Sequence, residues 1–129
     1  MRAPPSRVGH LRVVATKPAT GERIVVADRA YLARGFRDTA RGLLGVREFP
    51  SADLDALALV PCPQVHTRGM AFPIDVAMLS RAGGVRAVFR EVGPGRGLPF
   101  VWLATWAVEL PAGALPKAVA RGWRLQLAL

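Results

Sequence analysis

Two apolar runs flanking the tetrapeptide Arg81-Ala82-Gly83-Gly84 constrain this chain more than any other feature. FPIDVAMLS before it and GVRAVFREV after it are strand-like in composition, and a short glycine turn between such runs specifies a β-hairpin. The pattern recurs at the start of the chain. LRVVATK (11–17) and RIVVAD (23–28) are β-branched runs separated by PATGE, whose Pro and Gly form turns. DLDALALVPC (53–62) becomes apolar on both faces at Ala56 to Val60, as expected of a central strand covered on both sides. In WLATWAVELP the spacing of Trp102 and Trp106 fits helix or strand. Strand is preferred for 104–110, with Trp106, Val108 and Leu110 on one face and Thr105, Ala107 and Glu109 on the other.

A helix-like segment interrupts this β pattern. Tyr31, Leu32, Phe36, Ala40, Leu43 and Leu44 recur at three- and four-residue steps, with Arg34, Arg37, Asp38 and Arg41 between them. The periodicity predicts an amphipathic helix over 29–44, weakened at Gly35 and ended by Gly45. ALPKAVAR predicts one or two further helical turns, and GWRLQLAL a last strand. The fold class is therefore α+β, dominated by antiparallel sheet that curls into a barrel-like form or splits into two layers. Residues 1–10 read as a loose arm and 11–129 as one domain.

The net charge of +9 resides almost wholly in arginines. They are scattered, without the long basic runs of a nucleic-acid arm, so Arg-mediated nucleic-acid binding is one candidate reading and compositional bias another. A single cysteine, Cys62, excludes an intrachain disulfide and a multi-cysteine zinc site. No apolar segment reaches the roughly 18 residues needed to span a bilayer, and no signal-peptide core follows the basic start. A soluble, cytoplasmic protein without cofactor or metal is the expectation.

Chemistry concentrates in PCPQVHTRGMAFPID, residues 61–75. Pro61 and Pro63 favour extended backbone, which sets Cys62 and His66 roughly 13 Å apart and disfavours a thiol–imidazole dyad. An inert, buried thiol is the better reading of Cys62. If residues 64–67 pair antiparallel with 74–79, a six-residue loop sets His66 opposite Asp75, with Cβ atoms about 5 Å apart. Such a pair orients an imidazole for ligand contact or general-base work, or simply pins a hairpin. Thr67, Arg68, Gly69 and Met70 then form the tip, where Arg68 is suited to gripping a carboxylate or phosphate. Glu109 is either solvated or joins His66 and Asp75 in a polar pocket. GPGRG (93–97) lacks the Lys and hydroxyl of a phosphate loop and reads as a turn. Tryptophans in a small β domain are expected in the core.

The succession ARGLLG (40–45), PCPQVHTRGMAFPIDVAML (61–79), a glycine turn with GVRAVF, and AVELPAG (107–113) resembles domain-of-unknown-function family 192. The family pattern runs from a Gly-Leu-Leu or Gly-Leu-Met segment, through a His-Thr-x-x-Met or Trp-Met-x-Asn-Thr element and a Pro-Ile-Asp strand, to a Leu-Glu-Leu-x-x-Gly strand. The resemblance covers about residues 11–127. It implies a small β-rich domain and no established activity. The residues favour a non-enzymatic ligand-binding or accessory module for an unknown small molecule or protein, with candidate contacts His66, Thr67, Arg68, Met70, Asp75 and Glu109. A small hydrolase or transferase using His66 and Asp75 is the alternative.

Overall fold

In a computed structural model, residues 8–129 are described, and seven strands form one sheet. The elements are β1 (Leu11–Lys17), β2 (Glu22–Arg34), α1 (Gly35–Arg41), β3 (Ala56–Val60), β4 (Ile74–Leu79), β5 (Val85–Val92), β6 (Trp106–Pro111) and β7 (Arg124–Ala128). Their order across the sheet is β5-β4-β6-β3-β2-β1-β7. All neighbours run antiparallel except β2 and β3, so the sheet is mixed.

Both hairpins form where the turn chemistry puts them, β1–β2 and β4–β5. The sheet curls because β2 carries irregularities against β1: pairing moves from Leu11↔Ala30 to Val13↔Ala27 and then to Val14↔Val25. Each step inserts an extra residue in β2, and such bulges bend and twist a strand. At the first of them the Asp55 carboxylate accepts from the N–H groups of Asp28 (2.9 Å) and Arg29 (2.7 Å). The bent sheet is a half-barrel whose margins touch at one end. There Gly84 bridges Arg124, the Val85 N–H donates to the Trp123 carbonyl and the Leu125 N–H to that of Gly83, both at 2.9 Å.

The helix expected over 29–44 forms only in part, because its first six residues continue strand β2. Residues 30–34 pair in parallel with Ala56–Val60, which buries Ala30 and Ala33, and only Gly35–Arg41 is helical. Residues that recur at helical steps also alternate, and five ladder positions with two buried faces outcompete a marginal helix. Gly35 makes the switch with φ +80, and Gly42, not Gly45, follows the last turn. The helical turns expected in ALPKAVAR are also absent. The Arg90 guanidinium donates there to the carbonyls of Leu115 (2.6 Å), Pro116 (3.0 Å) and Val119 (2.9 Å), oxygens that a helix would reserve for its own amides.

Strand parity sorts the core onto two faces. Ala58, Ala77, Leu79, Val108, Leu110, Leu115 and Leu125 fill the concave side. Leu57, Leu59, Ile74, Val76, Met78 and Ala107 pack on the other side beneath Leu43, Leu54 and Val65 from the connecting loops. The strands β3, β4 and β6 are thus covered on both sides, as the unbroken apolar run of β3 requires. Of the three tryptophans expected in the core, Trp123 is buried and Trp106 half-buried, its Nε1 donating to the Ser80 carbonyl at 2.7 Å. Trp102 is instead 71% exposed. The arm expected over residues 1–10 lies mainly outside the described residues; at its end Gly9 and His10 donate to the carbonyls of Asp53 and Ala30. No helix among the described residues is long and apolar enough to cross a membrane.

Candidate functional site

Glu109 sits at the centre of β6, opposite Leu57 of β3 and Val76 of β4, and therefore projects to the loop-covered face. It is 1% exposed. Over it lies a cavity of about 330 Å³, walled by Thr39, Ala40 and Arg41 of α1, by Gly42 and Leu44, by Leu59, by residues 61–66 and by Met70. Three stretches far apart in sequence meet here. Beside the cavity Gly69 adopts φ +78, and a Cβ there would lie 2.9 Å from Leu44 Cδ2, so a side chain at 69 would be strained and would displace the end of Leu44.

The cavity's thiol is quiet. Cys62 is 8% exposed and its Sγ donates to the Gln64 carbonyl at 3.3 Å. Burial first, and then the charge of Glu109, pushes the thiol up from its ordinary 9.0 to about 11. Thiolate is therefore scarce at neutral pH.

His66 and Asp75, expected face to face, are not partners. Both edges of β4 are occupied, by β5 and β6, so residues 64–67 have no edge of it to join. They pair with the 93–98 loop instead: His66 bridges Gly97, the Thr67 N–H donates to the Arg96 carbonyl (2.7 Å) and the Leu98 N–H to that of Val65 (3.0 Å). His66 is exposed on the cavity rim, where its Nδ1 accepts from the Arg68 N–H at 3.3 Å. Asp75 is wholly buried and, lying opposite Leu110, faces the concave core, away from Glu109. Its carboxylate accepts three backbone N–H bonds: Oδ1 from Glu91 (2.8 Å), and Oδ2 from Gly113 and Leu115 (3.0 Å each). That is a tie between β4, the end of β5 and the turn after β6. A His66–Asp75 hydrolytic pair therefore does not form.

Thr67 is a second tie. Buried completely, its hydroxyl donates to the Gly93 carbonyl (2.7 Å) and accepts from the Arg96 N–H (2.9 Å), clasping the GPGRG turn. Arg68 is exposed on the outer side of this clasp, near Gly97. Of the six candidate contacts, then, His66, Met70 and Glu109 share the cavity, Thr67 and Asp75 hold loops together, and Arg68 points elsewhere. Thr39, Arg41, Gly42, Leu44 and Gln64 also line the cavity, and of these only the ARGLLG segment carries a signal in the sequence. Among the described residues, no group of three or more His, Cys, Asp and Glu is placed to hold a metal ion.

The segments that meet at the cavity are those carrying the family resemblance. The Pro-Ile-Asp and Leu-Glu-Leu-x-x-Gly elements are also joined directly, because the Asp of one binds the Gly113 amide of the other. No curated protein matches the chain. Two crystal structures share its fold. One, from Sinorhizobium meliloti 1021 and provisionally described as a transcription regulator, superposes with a TM-score of 0.72 at 18% identity, covering 95% of this chain and 97% of its own. The other, a protein of unknown function from Novosphingobium aromaticivorans, gives 0.74 at 18% identity, with 97% and 91% covered. The family model for DUF192, described as an uncharacterized ACR, matches residues 16–127. The chain accordingly belongs to domain-of-unknown-function family 192.

Proposed function

We propose that the protein is a small ligand-binding module whose site is the cavity over Glu109. The observation that carries this reading is convergence: the GLL segment, the His-Thr-x-x-Met element and the glutamate strand supply its lining together. Its volume of about 330 Å³ lies at the small end of ligand pockets, which run roughly 300–1,000 Å³. Leu44, Leu59, Val65 and Met70 offer an apolar body a dry wall, while Glu109 on the floor offers acceptor oxygen. The complement is a compact molecule with an apolar body and one hydrogen-bond-donating or cationic group. Thermal-shift titration with cyclohexylamine, n-butylamine and cyclohexanol tests this. Saturable stabilisation by an amine, lost in Glu109→Gln and accompanied by protection of Cys62 from alkylation, is expected; stabilisation unchanged by Glu109→Gln would refute it.

A second reading, anion binding through arginines, is favoured by one feature. Arg23, Arg34 and Arg81 line an open cleft of about 990 Å³ together with Trp106. Phosphate contact there would make the affinity for a short oligonucleotide fall steeply with salt. Salt-independent affinity, or affinity unchanged in Arg34→Ala with Arg81→Ala, would remove it.

A further inference from the structure

The segment LPFVWL, residues 98–103, carries an exposed apolar cluster that the cavity does not use. Phe100 is 61% exposed, Trp102 71% and Leu103 57%. Single exposed apolar residues are ordinary, and Val8, Val25 and Val60 are of that kind; three large ones within four residues are not. The cluster is also held in place. Leu98, Val101 and Ala104 pack into the core beneath it, the Ala104 N–H donates to the Val101 carbonyl at 3.1 Å, and Arg86 Nε donates to the Trp102 carbonyl at 3.3 Å. Leu103 adopts φ +64, a conformation uncommon for a branched apolar residue and sustained only by its surroundings. The loop's inward positions are thus already satisfied, and its outward ones face solvent on a fixed support.

The charged side chains placed beside this tip are arginines. Leu103 shares a surface depression with Arg86 and Arg124. From Val92 to Val108 the chain contains no acidic residue, and Arg96 adds a further cation. We propose that residues 98–103 are a membrane-surface anchor, through which the protein docks onto bilayers with anionic headgroups. Trp and Phe favour the boundary between headgroup and acyl chain, where an amphipathic ring is solvated on one side. Arginines beside them meet the negative surface potential. Attachment is peripheral, with the tip side chains inserted to headgroup depth.

Co-sedimentation of the full chain with phosphatidylcholine vesicles, with and without phosphatidylserine, tests this. The expected result is pelleting with the serine-containing vesicles that weakens as salt rises. Phe100→Ser and Trp102→Ser should each lower the partition coefficient about tenfold, as the loss of one inserted apolar side chain requires. Because both side chains are exposed, urea midpoints should match the wild type, so that loss of binding is separable from loss of fold. Three results would overturn the proposal: no pelleting with either vesicle, pelleting unaffected by the double variant, or a dimer in light scattering that the double variant abolishes, which would make a second copy the occupant.

Discussion

Replacing Asp75 with Asn removes one oxygen and the charge while keeping the shape. The wild-type carboxylate accepts three backbone N–H bonds, two of them on Oδ2. An asparagine does best with its amide oxygen toward Gly113 and Leu115, and its NH₂ group then confronts the Glu91 N–H, donor against donor. One hydrogen bond to a charged acceptor, worth about 1.5–3 kcal/mol, is lost, and the other two weaken by roughly half as they become neutral. Water reaches the exposed Glu91 and offsets part of the deficit. The expected cost is about 3 kcal/mol, a large fraction of the roughly 6–19 kcal/mol that holds a domain of this size. Urea unfolding should show it as a lower midpoint at constant slope, and a thermal scan as a fall of about 10 °C. His66→Ala, on the cavity rim, should change stability by less than about 0.5 kcal/mol, and the double variant should be additive within the same margin. A cost below about 0.5 kcal/mol for Asp75→Asn would refute the three-bond tie. Coupling between residues 66 and 75 above that margin would restore the pairing that the register denies.

Alkylation of Cys62 should be about a hundredfold slower at pH 8 than that of a free thiol from ionisation alone, and should keep rising toward pH 11. The folded thiol holds its proton more tightly than the unfolded one, so stability is undiminished below about pH 9 and falls between there and about pH 11; chemical denaturation at pH 8 and pH 10.5, compared with Cys62→Ala, reads this difference. Thr67→Val removes a hydroxyl that both donates and accepts, leaving the Arg96 amide and the Gly93 carbonyl unmatched, and should cost about 2 kcal/mol in urea unfolding while Thr67→Ser costs less. Arg90→Lys replaces a planar fork serving several carbonyls with a point donor, and should speed amide hydrogen exchange at Val119 and its neighbours before it lowers global stability.

The hairpins were readable because their signal is local. Gly83-Gly84 and the PATGE segment turn the chain, and β-branched runs do the rest. The segment from Arg29 to Arg34 was not, since alternation and helical recurrence coincide over six residues; what decides is the parallel ladder with Ala56–Val60, supplied by residues more than twenty positions away. The same limit governs the site. His66, Met70 and Glu109 do share a cavity, but the partners of Asp75 are amides at 91, 113 and 115, which no spacing within residues 61–75 encodes. The wall contributed by Thr39 to Leu44 follows from the early end of α1 at Arg41, which turns Gly42 and Leu44 over the glutamate.

The seam between the Gly83 turn and β7 has a consequence for solubility. Gly83 has φ +92, and a Cβ there would lie 2.5 Å from the Leu125 carbonyl oxygen, so even alanine cannot occupy the position while the seam stays shut. Prising it open frees the backbone groups of residues 83–85 and 123–125 that now satisfy one another, and so lengthens the unpaired outer borders of β5 and β7. Filaments grown by strand addition are the natural product of such a change.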